Sequence, residues 1–222
     1  MIKNTKYVYV KKSTEPKKES ALQQTTAQNG LQTTQIDERS FLDYDQKFVE
    51  KGLADEILKH LLNDIDWRHA VMTTKKGETY SLPRLQCWMS DEGVHAQLYQ
   101  KEGAMPWSPQ VADLKEKLER LLNTKFDYVL MNLYRNGDDK IGFHRDDEAE
   151  EEGKNVIASL SFGAPRTFII KHDHKRELSY TYNLTHGSLV TMRGDTQINW
   201  KHSVPPAPEV KTPRVNLTFR KS

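Results

Sequence analysis

The chain has 222 residues, enough for one core burying roughly 70% of the unfolded surface and too few for two full domains. Charged residues make up 29% of it, yet 33 Lys and Arg nearly cancel 31 Asp and Glu, so the net charge of +2 does not mark a nucleic-acid binder, although a local basic groove remains compatible with it. The single cysteine, Cys87, excludes an internal disulfide framework and fits the nucleus or cytoplasm.

Met1-Ile2-Lys3-Asn4 lacks the apolar run of a secretory signal, and no stretch approaches the roughly 20 apolar residues of a membrane span, so neither secretion nor membrane association is expected. Residues 1–40 are polar and lack periodic apolar positions, which predicts a disordered tail ahead of a single domain over 41–222. Lys11-Lys12 and Lys17-Lys18 fit a nuclear import signal, a weak phosphate-binding arm or simply a solvated lysine-rich tail. Leu53, Ile57, Leu58, Leu61 and Leu62 recur at helical spacing and predict a helix over Leu53 to Asn63. A second helix is expected after Ser108, with Ser108 as cap, Pro109 in the first turn, and Val111, Leu114, Leu118, Leu121 and Leu122 as its buried stripe.

From Asp127 the pattern changes to short runs of Val, Ile, Tyr, Phe and Thr, broken at Asn136-Gly137, Gly163-Ala164-Pro165, His186-Gly187 and Pro205-Pro206. Strands are predicted at Tyr128 to Tyr134, Val156 to Phe162, Thr167 to Lys171, Leu178 to Leu184, Ser188 to Met192 and Arg214 to Arg220. Many short strands with flanking helices predict a mainly β fold, a barrel or jelly roll.

His144-Arg145-Asp146 places an imidazole and a carboxylate two positions apart, so an extended backbone turns both to one side, where one metal ion can meet them. Two His and one carboxylate on one octahedral face form the ligand set of non-haem iron(II) oxygenases. By itself His-x-Asp also fits an ordinary hydrogen bond; the third ligand must come from elsewhere, and His202, beside a turn in a late strand, is the leading candidate. His172 and His174 are a competing same-side pair, but their densely charged surroundings read as a solvated hairpin turn, and His186 before Gly187 as a turn residue.

Arg214-Val215-Asn216-Leu217-Thr218-Phe219-Arg220 alternates strictly between polar and apolar. Alone, this is a strand with one face in water. Two arginines on the polar face also suit anion capture, because a guanidinium grips a carboxylate by paired hydrogen bonds and a dicarboxylate such as 2-oxoglutarate offers two ends. Leu130, Asn132 and Tyr134 alternate in the same way and add an amide and a phenol.

In order along the chain, Asn132-Leu133-Tyr134, His144-Arg145-Asp146-Asp147-Glu148, Ser159-Leu160-Ser161-Phe162-Gly163, His186-Gly187-Ser188-Leu189, His202-Ser203-Val204-Pro205 and the Arg214 to Arg220 ending resemble the AlkB family of nucleic-acid dealkylating dioxygenases, nearest its repair-type members. The resemblance covers about Leu53 to Ser222. It implies a double-stranded β-helix, a cupin-like jelly roll, with a nucleotide-recognition lid around 71–105. It also implies Fe(II), 2-oxoglutarate and O2, with His144, Asp146 and His202 as iron ligands. Arg214 with Tyr134 would take the distal carboxylate of 2-oxoglutarate, and Arg220, Asn132 and Asn216 its keto-acid end, with Thr218 on the same face. For the substrate it implies Arg84 and Trp88 in the lid, Trp88 being equally readable as core packing, and Asp147 and Glu148, which also begin an acidic run through Glu150-Glu151-Glu152.

The implied reaction is demethylation of 1-methyladenine and 3-methylcytosine in DNA or RNA, releasing formaldehyde and succinate, by a chain assumed monomeric. Thr73-Thr74-Lys75-Lys76-Gly77 lacks the apolar wedge of duplex-specialised members, which gives single strands a weak preference. The alternatives are a 2-oxoglutarate oxygenase of proteins or small molecules, and a non-catalytic nucleic-acid-binding jelly roll.

Overall fold

The computed structural model describes residues 25–28, 30–73, 76–94, 103–146 and 156–222. In chain order, β1 (Thr25–Gln28), β2 (Leu31–Gln35) and β3 (Ser40–Asp45) precede helix α1 (Lys51–Asn63). A hairpin of β4 (Arg68–Thr73) and β5 (Thr79–Ser90) is followed by α2 (Pro109–Leu122). Then come β6 (Tyr128–Tyr134), β7 (Ile141–His144), β8 (Val156–Gly163), β9 (Arg166–His172), β10 (Ser179–Leu184) and β11 (Ser188–Gly194). The short α3 (Thr196–Asn199) leads into β12 (Trp200–Val204), and β13 (Arg214–Arg220) follows.

The strands form two antiparallel sheets, nine-stranded in the order β1-β2-β3-β11-β8-β13-β6-β5-β4 and four-stranded in the order β10-β9-β12-β7. This is the jelly roll expected from the many short strands. The alternation of β13 is the pattern on which the larger sheet is built. Val215, Leu217 and Phe219 are fully buried on one face, with Val129, Met131 and Leu133 of β6 and Ala158, Leu160 and Phe162 of β8 in the same cluster. Ala54, Ile57 and Leu61 of α1 and Val111, Leu114 and Leu118 of α2 cover that face. Each large side chain buried there contributes about 1.5–3 kcal/mol. The opposite face is also buried, because it looks across to the smaller sheet; Arg214, Asn216, Thr218 and Arg220 are all under 9% exposed. The polar row of β13 therefore faces an enclosed interior, not water.

The predicted strands at 128–134 and 214–220 have the bounds expected, and β8 to β11 fall within two residues of theirs. The helices differ in detail. Leu53 is 48% exposed and Leu121 40%, so both stripes are narrower than expected. Ser108 makes no capping hydrogen bond, although Pro109 does open α2.

The larger correction concerns the predicted tail over 1–40, since residues 25–28 and 31–35 are strands β1 and β2 and residue 40 opens β3. Their Thr and Gln content hides them from an apolar count, but a polar hairpin can still extend a sheet through backbone hydrogen bonds. The lysine pairs at 11–12 and 17–18 lie outside the described residues. What pins this region is Asp43, 1% exposed, which accepts hydrogen bonds from Thr33 of β2 at 2.6 Å, Thr191 of β11 at 2.5 Å and Arg193 of β11 at 2.6 and 2.8 Å.

Burial alone would raise the Asp43 pKa, but the bonds from Arg193, Thr191 and Thr33 outweigh it and hold the carboxyl below its usual range. A depressed folded-state pKa gives stability that is complete above the ordinary value of 3.8 and is lost as pH falls through the folded value. Asp43→Asn removes one partner of a largely buried ion pair. The Arg193 side chain is 34% exposed, so the expected cost is at the lower end of the range, about 3 kcal/mol, or roughly 6–12 °C in Tm for a chain of this size. Thermal denaturation against pH should show the gap between variant and parent closing below about pH 4.

Candidate active site

Between the two sheets lies a cavity of about 440 Å³, lined from the large sheet by Leu130, Asn132, Tyr134, Ser159, Met192, Arg214, Asn216, Thr218 and Arg220, and from the small sheet by His144, Phe168, Leu184, His202 and Val204. Its size suits a small-molecule site. His144 ends β7, Asp146 lies two residues on, and His202 sits in β12; antiparallel pairing sets His202 directly opposite His144. Their ligand atoms all lie within 4.8 Å of one another, a span that one ion can bridge. The two imidazole Nε2 atoms stand 3.6 and 3.7 Å from the Asp146 carboxylate.

Each ligand is oriented by a neighbour. His144 Nδ1 lies 2.9 Å from the Gly142 carbonyl, an acceptor that requires the proton on Nδ1 and leaves the Nε2 lone pair free for a metal. Phe168 stacks against the His202 ring at 5.4 Å. Burial pushes the His202 pKa down to about 3, which keeps the imidazole neutral, as ligation demands. Burial would push Asp146 up, but the charge and hydrogen bond of the Arg220 guanidinium outweigh it and hold the carboxyl below its usual value. Arg220 donates to Asp146 Oδ1 at 2.7 Å.

Arg214 is a further cation lining the cavity. It is 1% exposed and donates to Ser161 Oγ at 2.8 Å, and its guanidinium lies 5.1 Å from the centre of the Tyr134 ring. Among the described residues its Nε and Nη1 atoms have no hydrogen-bond partner, and burial lowers its pKa. A buried cation with unused donors is costly unless an anion meets it. A carboxylate fits the need, and the two-imidazole, one-carboxylate donor set beside it fits iron(II).

The remaining expected residues are placed unevenly. Asn132 faces the cavity, where its Oδ1 accepts from Arg84 Nε and Gln86 Nε2, both at 2.7 Å; Arg84 is only 7% exposed, so its guanidinium is engaged inside the fold. Asn216 Nδ2 donates to Ser159 Oγ at 2.7 Å and its Oδ1 accepts from Thr218 at 3.2 Å. Trp88 shares the inner face of β5 with Arg84 and Gln86, yet packs with Tyr128 and Leu130 and borders a separate hollow with Val94, Met105 and Trp107. Asp147 and Glu148 lie outside the described residues, as do residues 74–75 and 95–102 of the stretch expected to form the lid.

His172 is not in a solvated turn as expected. It is 8% exposed, and its Nδ1 accepts the backbone N–H groups of His174 and Lys175 at 3.1 Å, so it closes the turn from within. His186 does serve its turn, accepting the Gly163 N–H at 2.9 Å. The cavity residues missed from sequence include Ser159, Gln86, and the aromatics Tyr80, 49% exposed, and Phe143, 43% exposed. Ser159 and Ser161 carried a signal, since they alternate with Ala158, Leu160 and Phe162 as polar residues do on β13.

The 2OG-Fe(II) oxygenase superfamily model matches residues 42–220. The chain is 38% identical over 181 residues to human alpha-ketoglutarate-dependent dioxygenase alkB homolog 3, a match that covers 78% of this chain and 63% of that protein. It is 36% identical over 184 residues to human DNA oxidative demethylase ALKBH2, covering 77% of this chain and 69% of the relative. Among solved structures, "The structure of OsALKBH1" superposes with a TM-score of 0.56 at 18% identity, covering 81% of this chain and 97% of that one, a likeness of fold. With the metal-ligand triad in place in a jelly roll, the chain belongs to the 2OG-Fe(II) oxygenase superfamily and, within it, to the AlkB homologues.

Proposed function

We propose that this chain is an Fe(II)/2-oxoglutarate-dependent dioxygenase that demethylates alkylated bases, 1-methyladenine and 3-methylcytosine among them, in DNA or RNA. The observation that carries the reading is the joining, in one cavity, of the His144, Asp146 and His202 group with the buried Arg214 guanidinium, whose Nε and Nη1 have no hydrogen-bond partner among the described residues. The relatives' names, a dioxygenase and a DNA oxidative demethylase, supply the substrate class.

In this reading His144, Asp146 and His202 hold the metal, and Arg214 with Tyr134 takes the distal carboxylate. Arg220, which also donates to Asp146 and keeps it ionised, is proposed with Asn132 and Asn216 for the keto-acid end, and Thr218 lies on the same wall. Iron(II) held there with 2-oxoglutarate would supply the oxidising chemistry for hydroxylation of the N-methyl group. The hydroxymethyl amine then loses formaldehyde and the ring nitrogen recovers an unmethylated base, while 2-oxoglutarate leaves as succinate and carbon dioxide. Leu130, Phe168, Leu184 and Met192 keep water from the cavity.

Among the residues lining the cavity, the exposed Tyr80 and Phe143, the latter with Lys171 Nζ 3.7 Å from its ring centre, are proposed to meet the base, a role for which Trp88 is less well placed. Arg84 acts through Asn132, and Asp147 and Glu148 remain proposed contacts to the base. A hydrophilic loop at 73–77 favours single strands weakly. We take the working form to be a monomer acting in the nucleus or cytoplasm; among the described residues no helix is long and apolar enough to cross a membrane.

Anaerobic loading with Fe(II) and 2-oxoglutarate, followed by oxygen and a panel of methylated single- and double-stranded oligonucleotides, tests the reading. Formaldehyde and succinate in equal amounts, with the single strands faster, are expected. Succinate formation stimulated by peptides and not by oligonucleotides would sink the nucleic-acid assignment, and equal rates on matched single and double strands would sink the strand preference.

A further inference from the structure

The metal carboxylate has a support that no ligand pattern announces. Asp146 is 5% exposed, and its backbone N–H needs an internal acceptor. The acceptor is Gln197 Oε1, at 2.9 Å. Gln197 lies on α3, is 1% exposed, and its other amide atom, Nε2, donates to Met192 Sδ of β11 at 3.2 Å. Both ends of the side chain are thereby committed, and its oxygen is fixed toward Asp146. Five residues further on, the same segment supplies His202. The stretch from α3 into β12 thus provides one ligand and the brace of another.

We propose that Gln197 is a positioning residue for the metal centre, holding the main chain of Asp146 so that its carboxylate meets the ion shared with His144 and His202. The inference rests on the reading of those three residues as ligands. Groups that orient metal ligands by hydrogen bonds typically change metal affinity by 10–100-fold when removed. Gln197 acts on the ligand's backbone and leaves the carboxylate free for Arg220 and the metal.

Anaerobic titration with Co(II), read by its visible absorption, compares the parent with Gln197→Leu, which has no acceptor oxygen, and Gln197→Glu, which keeps one. Gln197→Leu should bind Co(II) roughly 10-fold or more weakly and show an altered ligand-field spectrum, while Gln197→Glu should retain the parent spectrum. Melting of the metal-free proteins accompanies the titration. Should Gln197→Leu fail to fold, Gln197→Met makes the same comparison with an unbranched side chain.

Parent affinity and spectrum in the acceptor-free variant would overturn the proposal. So would equal weakening in Gln197→Leu and Gln197→Glu, since the acceptor oxygen would then be irrelevant. A parent protein that binds no Co(II) would instead overturn the ligand assignment itself.

Discussion

His144→Ala should reduce formaldehyde release from a methylated oligonucleotide to background, on the order of 10³-fold or more, which corresponds to at least about 4 kcal/mol of lost transition-state stabilisation. The imidazole is one of three groups whose ligand atoms lie within 4.8 Å of one another, and its Nδ1 is committed to Gly142, so Nε2 is its only free nitrogen. Its removal should leave the fold standing. The side chain is 30% exposed and ends an edge strand, so the metal-free variant should melt close to the parent. His174→Ala serves as a control, because His174 belongs to the competing pair and lies outside the metal group; it should work at the parent rate. Undiminished iron-dependent formaldehyde release from His144→Ala would remove His144 from the metal centre.

Arg214→Met should weaken 2-oxoglutarate binding roughly 100-fold, because a charge-assisted, doubly hydrogen-bonded carboxylate contact of about 3 kcal/mol is lost. The same substitution should leave the cosubstrate-free protein as stable as the parent or more so. In that state the guanidinium is 1% exposed with two donor atoms unused, a burial cost that methionine does not carry. The parent should gain stability from the cosubstrate, about 2.7 kcal/mol at 100 times Kd, and the variant almost none at that concentration. Thermal shift with and without 2-oxoglutarate measures both effects. A variant that is destabilised when free yet still stabilised by 2-oxoglutarate would make Arg214 a structural residue.

How much of this was legible from sequence depends on whether a role is local. Alternation over two residues put Arg214, Asn216, Thr218 and Arg220 on one face of their strand, and Asn132 with Tyr134 on one face of theirs, because side-chain direction in a strand is set by position alone. His144 and Asp146 were legible for the same reason. Which face is wet is not a local property, and the polar row of β13 is buried only because a second sheet lies opposite. Gln86 to Asn132 and Gln197 to Asp146 are contacts across 46 and 51 residues, and no spacing rule reaches that far. Trp88 was readable either as a substrate contact or as core packing, and it packs with Tyr128 and Leu130, because Arg84, Gln86 and Trp88 run along one strand from the cavity toward another hollow. Leu53 and Leu121 satisfied the helical period and still face outward, because the period gives a stripe but not its width.

The hairpin of β1 and β2 matters beyond its place in the sheet order. It pairs along β3, matching Gln32 to Gln35 with Tyr44 to Phe41, and so covers a strand whose sequence is Ser-Phe-Leu-Asp-Tyr-Asp. A chain trimmed at residue 40 on the strength of its polar composition would end the sheet at that strand. Its backbone donors and acceptors, flanked by Phe41 and Tyr44, would then be open to a second molecule. The Thr- and Gln-rich segment that looks dispensable thus covers the edge of β3, and trimming it is expected to raise self-association at working concentration.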